Sequence, residues 1–401
     1  MPDPLSINLA HIKASETVAI SNETKRRKAA GEDVYDLSVG EPDFDTPMPV
    51  RQAAIEAIQK GFTRYPANIG IPELRTAIAR NLSLLSGGRA VNPDHIVVSS
   101  GSKQSLFNVC FTLFGPGQRV LIPGPAWVSY PQIVHLSRAE PVLVPGDIEW
   151  GMKVSVRDLD AAYSKSVKGL ILCSPCNPTG AVYTLAELKA IAEWAHKHQV
   201  WIISDEIYRA INYGPGPAAS VLDLPDELLE RTVLIYGASK AYAMTGWRIG
   251  SALAPPHVAK AMAALQSHTT TGANHPAQWA AVTAFNDERV AQDVVKMVAA
   301  FRRRRDLVVS RFRSEVPGVE FVEPHGAFYF FFRVDGIREG LTGSKFCEEL
   351  MQREGVALVP GAAFGDDRWV RMSYAVSDKE LDAAIDRIVR VIRTIGAARA
   401  A

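Results

Sequence analysis

Between residues 95 and 255 the chain alternates short β-rich runs with helical stretches, and this alternation constrains the fold more than any other feature. The runs occupy 95–99, 119–122, 141–144, 169–173, 200–204, 232–236 and 249–253, and they lead into Gly, Ser, Pro or Asp. Helix-like stretches such as 102–113 and 185–198 fall between several of them. Strands separated by helices predict a mostly parallel sheet with helices on both faces, an α/β fold. In such sheets ligands bind outside the carboxyl ends of the strands. Residues just after the runs are therefore the first place to look for chemistry.

After about residue 290 the pattern changes. A long helical stretch (294–312) leads to two strand-like runs (327–333 and 370–374) and a final helix (378–394), which reads as a smaller α+β unit. The 401 residues are too many for one small core. The expected organisation is a large domain over 48–290, a small domain over 291–401, and a segment 1–47 that packs with the small domain. The formal net charge of +1 gives no bulk reason to expect nucleic acid or an acidic membrane as partner. The basic run 302–305 lies inside a helical pattern and reads as a solvated or interface face. No apolar stretch reaches the ~20 residues of a membrane span, and the N-terminus lacks a charged-then-apolar signal pattern. Cys173 and Cys176 form a CxxC without a second pair at metal spacing, so no metal is expected. They read as reduced packing residues, and a cytoplasmic location follows as the default.

Five groups of residues follow the runs. Lys240 stands after Tyr236-Gly237-Ala238-Ser239, with Arg248 eight positions on. A lysine amine is a poor nucleophile near its reference pKa of ~10.4, but low dielectric or a nearby cation makes it fit for Schiff-base chemistry. Arg248 offers a planar fork for a phosphate. Asp205 ends an apolar run, with Tyr208 three residues later. Such a carboxylate either caps a helix or holds a proton on a heteroaromatic nitrogen. Asn177 lies in Asn177-Pro178-Thr179-Gly180, a turn whose amide suits a ring hydroxyl. Gly101 and Ser102 open a helix, where free N–H groups make an anion site. Trp127 follows the second run, with an indole face that suits a flat ring or a core. Each group is weak alone, yet together they supply a phosphate cradle, a stacking ring, a carboxylate, an amide and a lysine.

With these motifs the sequence resembles the fold-type I pyridoxal-phosphate (PLP) enzymes, and within them the class I aminotransferases. The likeness runs from Ser38-Val39-Gly40-Glu41-Pro42-Asp43-Phe44 to Arg371-Met372-Ser373-Tyr374, and is most specific in SKAYAMTGWRIG (239–250), NPTG (177–180) and SDEIY (204–208). It is greatest to the bacterial aspartate and prephenate aminotransferases. The resemblance implies that Lys240 carries the cofactor as a Schiff base and then shuttles a proton. It implies that Asp205 pairs with the pyridinium nitrogen, Asn177 and Tyr208 bond the ring oxygen, and Trp127 stacks on the ring. Gly101, Ser102, Ser239 and Arg248 hold the phosphate, and Tyr65 reaches the phosphate of a neighbouring subunit, which implies a homodimer with shared sites. Arg371 clamps the substrate α-carboxylate beside Gly40. The position three before the lysine, a serine in many relatives, is Gly237 here. Lys103 is the residue implied for a distal carboxylate; its alternative is a solvent-facing lysine at a helix start. Ser15-Glu16-Thr17 corresponds to a segment that lids the site, with Thr17 reaching substrate. Gly326-Ala327-Phe328-Tyr329 forms a further wall or part of the core. The implied activity is ping-pong transfer of an amino group from an L-amino acid, with aspartate or another acidic substrate foremost, to a 2-oxo acid. An aromatic or broad-specificity transaminase, a prephenate transaminase and a C–S lyase remain alternatives. A PLP-binding transcription regulator needs more chain than the ~45 residues ahead of the first shared motif.

Overall fold

The computed structural model describes residues 6–9, 11–14 and 16–397. A short strand, β1 (Tyr35–Asp36), precedes the alternating region. The seven runs then form β2 (Ile96–Ser100), β3 (Arg119–Gly124), β4 (Glu140–Pro145), β5 (Val167–Cys173), β6 (Trp201–Asp205), β7 (Thr232–Gly237) and β8 (Ile249–Leu253). They make one sheet in the order β2-β8-β7-β6-β5-β3-β4. Neighbours from β7 to β4 are parallel, while β8 runs antiparallel to both β2 and β7. The fold is the expected α/β, fold-type I arrangement.

The runs read as continuous apolar stretches because both faces of this sheet are covered. Side chains alternate between faces along a strand. Leu170, Leu172, Ile202 and Leu234 enter one core with Leu74 and Ile78. Ile171, Ile203, Val233 and Ile235 enter the opposite core with Leu106 and Val109. Each such side chain, once buried, contributes roughly 1.5–3 kcal/mol. Helix Leu185–His198 shows how the sequence sets a covering helix. Thr184 Oγ1 accepts from Glu187 N at 3.2 Å, and Glu187 Oε2 accepts from Thr184 N at 2.7 Å, a reciprocal cap. Leu188, Ile191, Ala192 and Ala195 recur at helical spacing and face the sheet. Gln199, in the left-handed region at φ +58°, ends the helix.

The remaining strands are β9 (Phe321–Val322), β10 (Tyr329–Arg333), β11 (Val356–Ala357), β12 (Val359–Pro360) and β13 (Trp369–Ser373). β12-β13-β10-β9 form an antiparallel sheet, and β1 pairs in parallel with β11. This second sheet has four strands rather than the two read from the sequence. Its extra strands, β9 and β12, are two residues long, too short to show alternation. The run expected from 327 begins at Tyr329, because Ala327 lies in the left-handed region at φ +55°. A separate aromatic core joins Phe301 and Phe312 of helix Glu288–Glu315 to Phe330 and Phe332 of β10, with Leu37 of the N-terminal segment inserted. The basic run 302–305 is not a solvated face throughout. Arg304 is buried, with Nη1 and Nη2 on Asp43 at 2.8 and 3.0 Å and Nε on Asp378 at 2.6 Å. It thereby ties the N-terminal segment and the last helix together. Among the described residues no helix is long and apolar enough to cross a membrane.

Candidate active site

The carboxyl ends of β5, β6 and β7 lie along one edge of the sheet, with the start of antiparallel β8 beside them. A cleft of roughly 300 Å³ opens there. It gathers Lys240, Asp205, Tyr208, Asn177, Trp127 and Arg371, and also Ser102, Lys103, Ser239, Arg248, Gly40 and Thr17. A larger cleft of about 690 Å³ lies near Trp201, Thr232 and His257 and holds none of the residues expected to act.

Lys240 follows β7 and donates from Nζ to the carbonyl of Gly40 at 2.5 Å. Burial pulls its amine down to about 8; Arg371 and Arg248 act in the same sense, and Glu41 and Asp205 oppose them. Asp205 closes β6 and is buried. Its Oδ2 accepts from Tyr130 at 2.7 Å and its Oδ1 from the Ile207 amide at 3.3 Å. Burial still lifts the carboxyl to about 6 against those bonds. The cleft thus pairs an amine that is partly neutral near neutrality with a carboxylate that is costly to ionise.

Arg371 in β13 comes from the other sheet. It is buried, donates from Nη1 to Asn177 Oδ1 at 3.0 Å and from Nη2 to the Ser38 carbonyl at 2.6 Å. Its guanidinium carbon stands 4.5 Å from the Tyr329 ring centroid and 5.0 Å from that of Phe364. Nε has no hydrogen-bond partner, and among the described residues no carboxylate lies within ion-pair distance. The same holds for Lys103, Lys240 and Arg248. Lys103 places Nζ 4.8 Å from the Trp127 ring centroid, and partial burial followed by the Arg248 charge lowers its pKa.

Gly101, at φ +83°, caps helix Ser102–Leu113. A Cβ at Gly101 would lie 2.4 Å from Arg248 Nη2, so the glycine lets the guanidinium meet the helix start. A Cβ at Gly237 would lie 2.6 Å from Ser102 Oγ; the Ser102 hydroxyl fills the space that a side chain at 237 would need. Tyr65 is not brought to this cleft and is 88% exposed. Thr17 lines the cleft from helix Glu16–Ala29, while Ser15 lies outside the described residues. Phe328 is no wall: it is fully buried against Phe301 and Tyr208. Tyr329 faces the cleft instead, its hydroxyl 2.8 Å from that of Tyr208. Tyr130 was missed by the sequence reading; it stands in the first turn of helix Ser129–Leu136, three residues after Trp127, and the two rings meet edge-on with centroids 5.3 Å apart. All four cysteines are free.

Residues 32–388 match the family described as aminotransferase class I and II. The chain belongs to that family. This aminotransferase is 42% identical to a bifunctional aspartate aminotransferase and glutamate/aspartate-prephenate aminotransferase from Petunia hybrida, across 98% of this chain and 83% of that protein. The solved aspartate aminotransferase from Thermus thermophilus with maleate is similar at TM-score 0.91 and 37% identity, covering 97% of this chain and 99% of that one. An aromatic aminotransferase from Pyrococcus horikoshii is similar at TM-score 0.87 and 38% identity, covering 92% and 99%. One fold at this level of identity thus carries more than one side-chain preference.

Proposed function

We propose that this aminotransferase uses pyridoxal phosphate to move the amino group of L-aspartate, or another acidic L-amino acid, to a 2-oxo acid. The observation that carries the reading is Arg371: a buried guanidinium, oriented by two hydrogen bonds, with a free Nε and no carboxylate partner among the described residues. A buried charge without an anion is costly, and the α-carboxylate of an amino acid offsets that cost at the point where Lys240 waits.

The residues present fit the cofactor. Arg248 and the Gly101–Ser102 helix start supply the cation and N–H groups that a phosphate needs. Asp205 is a buried acid suited to a ring nitrogen, and Lys240 is an amine partly neutral near neutrality. When bound, pyridoxal phosphate supplies an aldehyde for imine exchange and a ring that takes up electrons. Lys240 would hold it and, once displaced by substrate, move the proton at Cα as general base. Asp205, held by Tyr130, would keep a proton on the ring nitrogen. Asn177 and Tyr208 would bond the ring oxygen, Trp127 would cover the ring, and Ser102, Ser239 and Arg248 would hold the phosphate. Arg371 beside Gly40 would orient the α-carboxylate, Lys103 the distal one, and Thr17 would close over the substrate. Exposed Tyr65 would serve a second copy, making the enzyme a homodimer. The large domain would span 48–290 and the small one 291–401, with 1–47 packed on the latter. Four free thiols suit a cytoplasmic enzyme.

A panel of amino donors and 2-oxo acid acceptors tests the reading. Aspartate should turn over only when an acceptor is present. Release of ammonia or a thiol without one would overturn transamination in favour of a lyase. Prephenate belongs in the panel because the Petunia relative is named for it; turnover with prephenate would establish that second reading. An aromatic preference is less well supported, since Phe328 is turned into the core.

A further inference from the structure

Two tyrosine hydroxyls in the cleft hold one proton more than they use. Tyr208, after β6, and Tyr329, the first residue of β10, are both buried, and their oxygens lie 2.8 Å apart. Neither hydroxyl has another hydrogen-bond partner among the described residues. Two hydroxyls carry two protons, and the one bond between them takes up one. Burial raises the pKa of both, so both protons stay in place at neutral pH.

The second sheet fixes Tyr329 in this position. Phe331 pairs with Arg371 across β10 and β13, and Tyr329 shares a face with Phe331. Arg371 is therefore a diagonal neighbour of Tyr329, its guanidinium carbon 4.5 Å from the ring centroid. The turn before β10 is pinned as well, because the Ala327 carbonyl accepts from the Tyr213 hydroxyl and, at 3.4 Å, from that of Tyr374. A Cβ at Gly40 would lie 2.8 Å from the Tyr329 oxygen, so the glycine leaves that hydroxyl its room. The charge beside the pair decides which oxygen donates. A cation next to a phenol eases the loss of its proton and makes it the better donor. Arg371 is the largest charge acting on Tyr329, whereas at Tyr208 its effect is smaller than that of Tyr329 itself.

We propose that Tyr329 is a positioning residue that donates to Tyr208 and so reserves the Tyr208 proton for the ring oxygen of the bound cofactor. This rests on the role given to Tyr208 in the preceding section. One side chain then links two parts of the site: its ring face carries Arg371 and its hydroxyl carries Tyr208. A hydrogen bond donated into a hydroxyl strengthens the bond that the hydroxyl donates in turn. A stronger bond to the ring oxygen stabilises negative charge there and eases proton loss from the Lys240 nitrogen joined to the cofactor.

The test is a pH titration of the visible absorbance of bound pyridoxal phosphate in wild type, Tyr329→Phe, Tyr208→Phe and the double variant. Tyr329→Phe keeps the ring and its packing against Arg371. Its midpoint should rise by about half a pH unit, and that of Tyr208→Phe should rise further. In the Tyr208→Phe background, Tyr329→Phe should add nothing, because it acts through Tyr208. The sign separates the two directions of the bond. If Tyr208 donated to Tyr329, removing the Tyr329 oxygen would release the Tyr208 proton to the ring and lower the midpoint. A fall, no shift, or an equal rise in the Tyr208→Phe background would overturn the proposal while the wild-type titration stands. A wild type whose bound cofactor shows no such titration would instead overturn the reading in the preceding section, and this inference with it.

Discussion

Asp205→Asn should make the cofactor-free enzyme more stable while it removes most of the activity. The folded pKa of Asp205 is about 6, against 3.8 for an unperturbed aspartate, and burial is the cause. A folded value above the unfolded one means that the native state binds the proton more tightly, so stability falls as pH rises between the two values. The penalty is fully present above pH 6 and is gone below about pH 4. Two pKa units correspond to about 3 kcal/mol at pH 8 and roughly half of that at pH 5. Asparagine abolishes this cost and can still accept from Tyr130. With one acceptor atom instead of two, it gives up the longer bond from the Ile207 amide, 3.3 Å in the structure, a loss of about 1 kcal/mol. The net expectation is a gain of about 2 kcal/mol at pH 8 and near parity at pH 5. Thermal denaturation of apo wild type and variant at both pH values measures it, and kcat of the reconstituted variant should be down at least about a hundredfold. A variant no more stable than wild type at pH 8, or a gain that does not shrink at pH 5, would refute the burial argument. Near-wild-type turnover would refute the role at the ring nitrogen.

Arg371→Lys replaces a fork with a point charge; kcat/KM for aspartate should fall roughly a hundred- to a thousandfold, and an equal loss for a simple primary amine would show that no α-carboxylate is held there. Because the Lys240 amine sits at about 8, the rate at which apoenzyme takes up pyridoxal phosphate should fall about tenfold per pH unit below that value and level off above it; stopped-flow rates still climbing toward pH 10 would contradict it. Lys103→Ala should lower kcat/KM for aspartate and glutamate by roughly ten- to a hundredfold relative to alanine, whereas a uniform loss across these donors would make Lys103 a general electrostatic contributor.

The large sheet was legible because its strands other than the edge strand β4 are largely buried on both faces and so read as apolar runs ending in turn residues, while β4, though largely exposed, still carries the apolar run Val142-Leu143-Val144. That pattern also located Lys240, Asp205 and Asn177, since a parallel sheet delivers its strand ends to one edge. What escaped was set by contacts with no local trace. Tyr130 meets Asp205 across 75 positions of sequence. β9 and β12 are too short for periodicity and exist only because β10 and β13 present free edges to them. Phe328 and Tyr329 are adjacent in an aromatic string and both are fully buried, yet of the two Tyr329 alone lines the cleft, a difference that follows the left-handed turn at Ala327 and leaves no mark in composition.

The net charge of +1 conceals the electrostatic character of the site. Lys103, Lys240, Arg248 and Arg371 converge on one cleft, while Asp205 is the acid lining it, with Glu41 acting on Lys240 nearby. On its own this excess of cations is unfavourable, and part of the cost appears in the chemistry: Arg371 and Arg248 add to burial in holding the Lys240 amine down. An incoming phosphate or carboxylate would remove that repulsion where it is largest. The same anion would also raise the affinity of Lys240 for a proton. Arg371 and Arg248, which add to burial in lowering the Lys240 amine, are thus the groups whose neutralisation by bound anions would prepare it to accept the proton from Cα. One arrangement of charge therefore serves both stages, without any conformational change in the lysine's surroundings being needed to explain the difference.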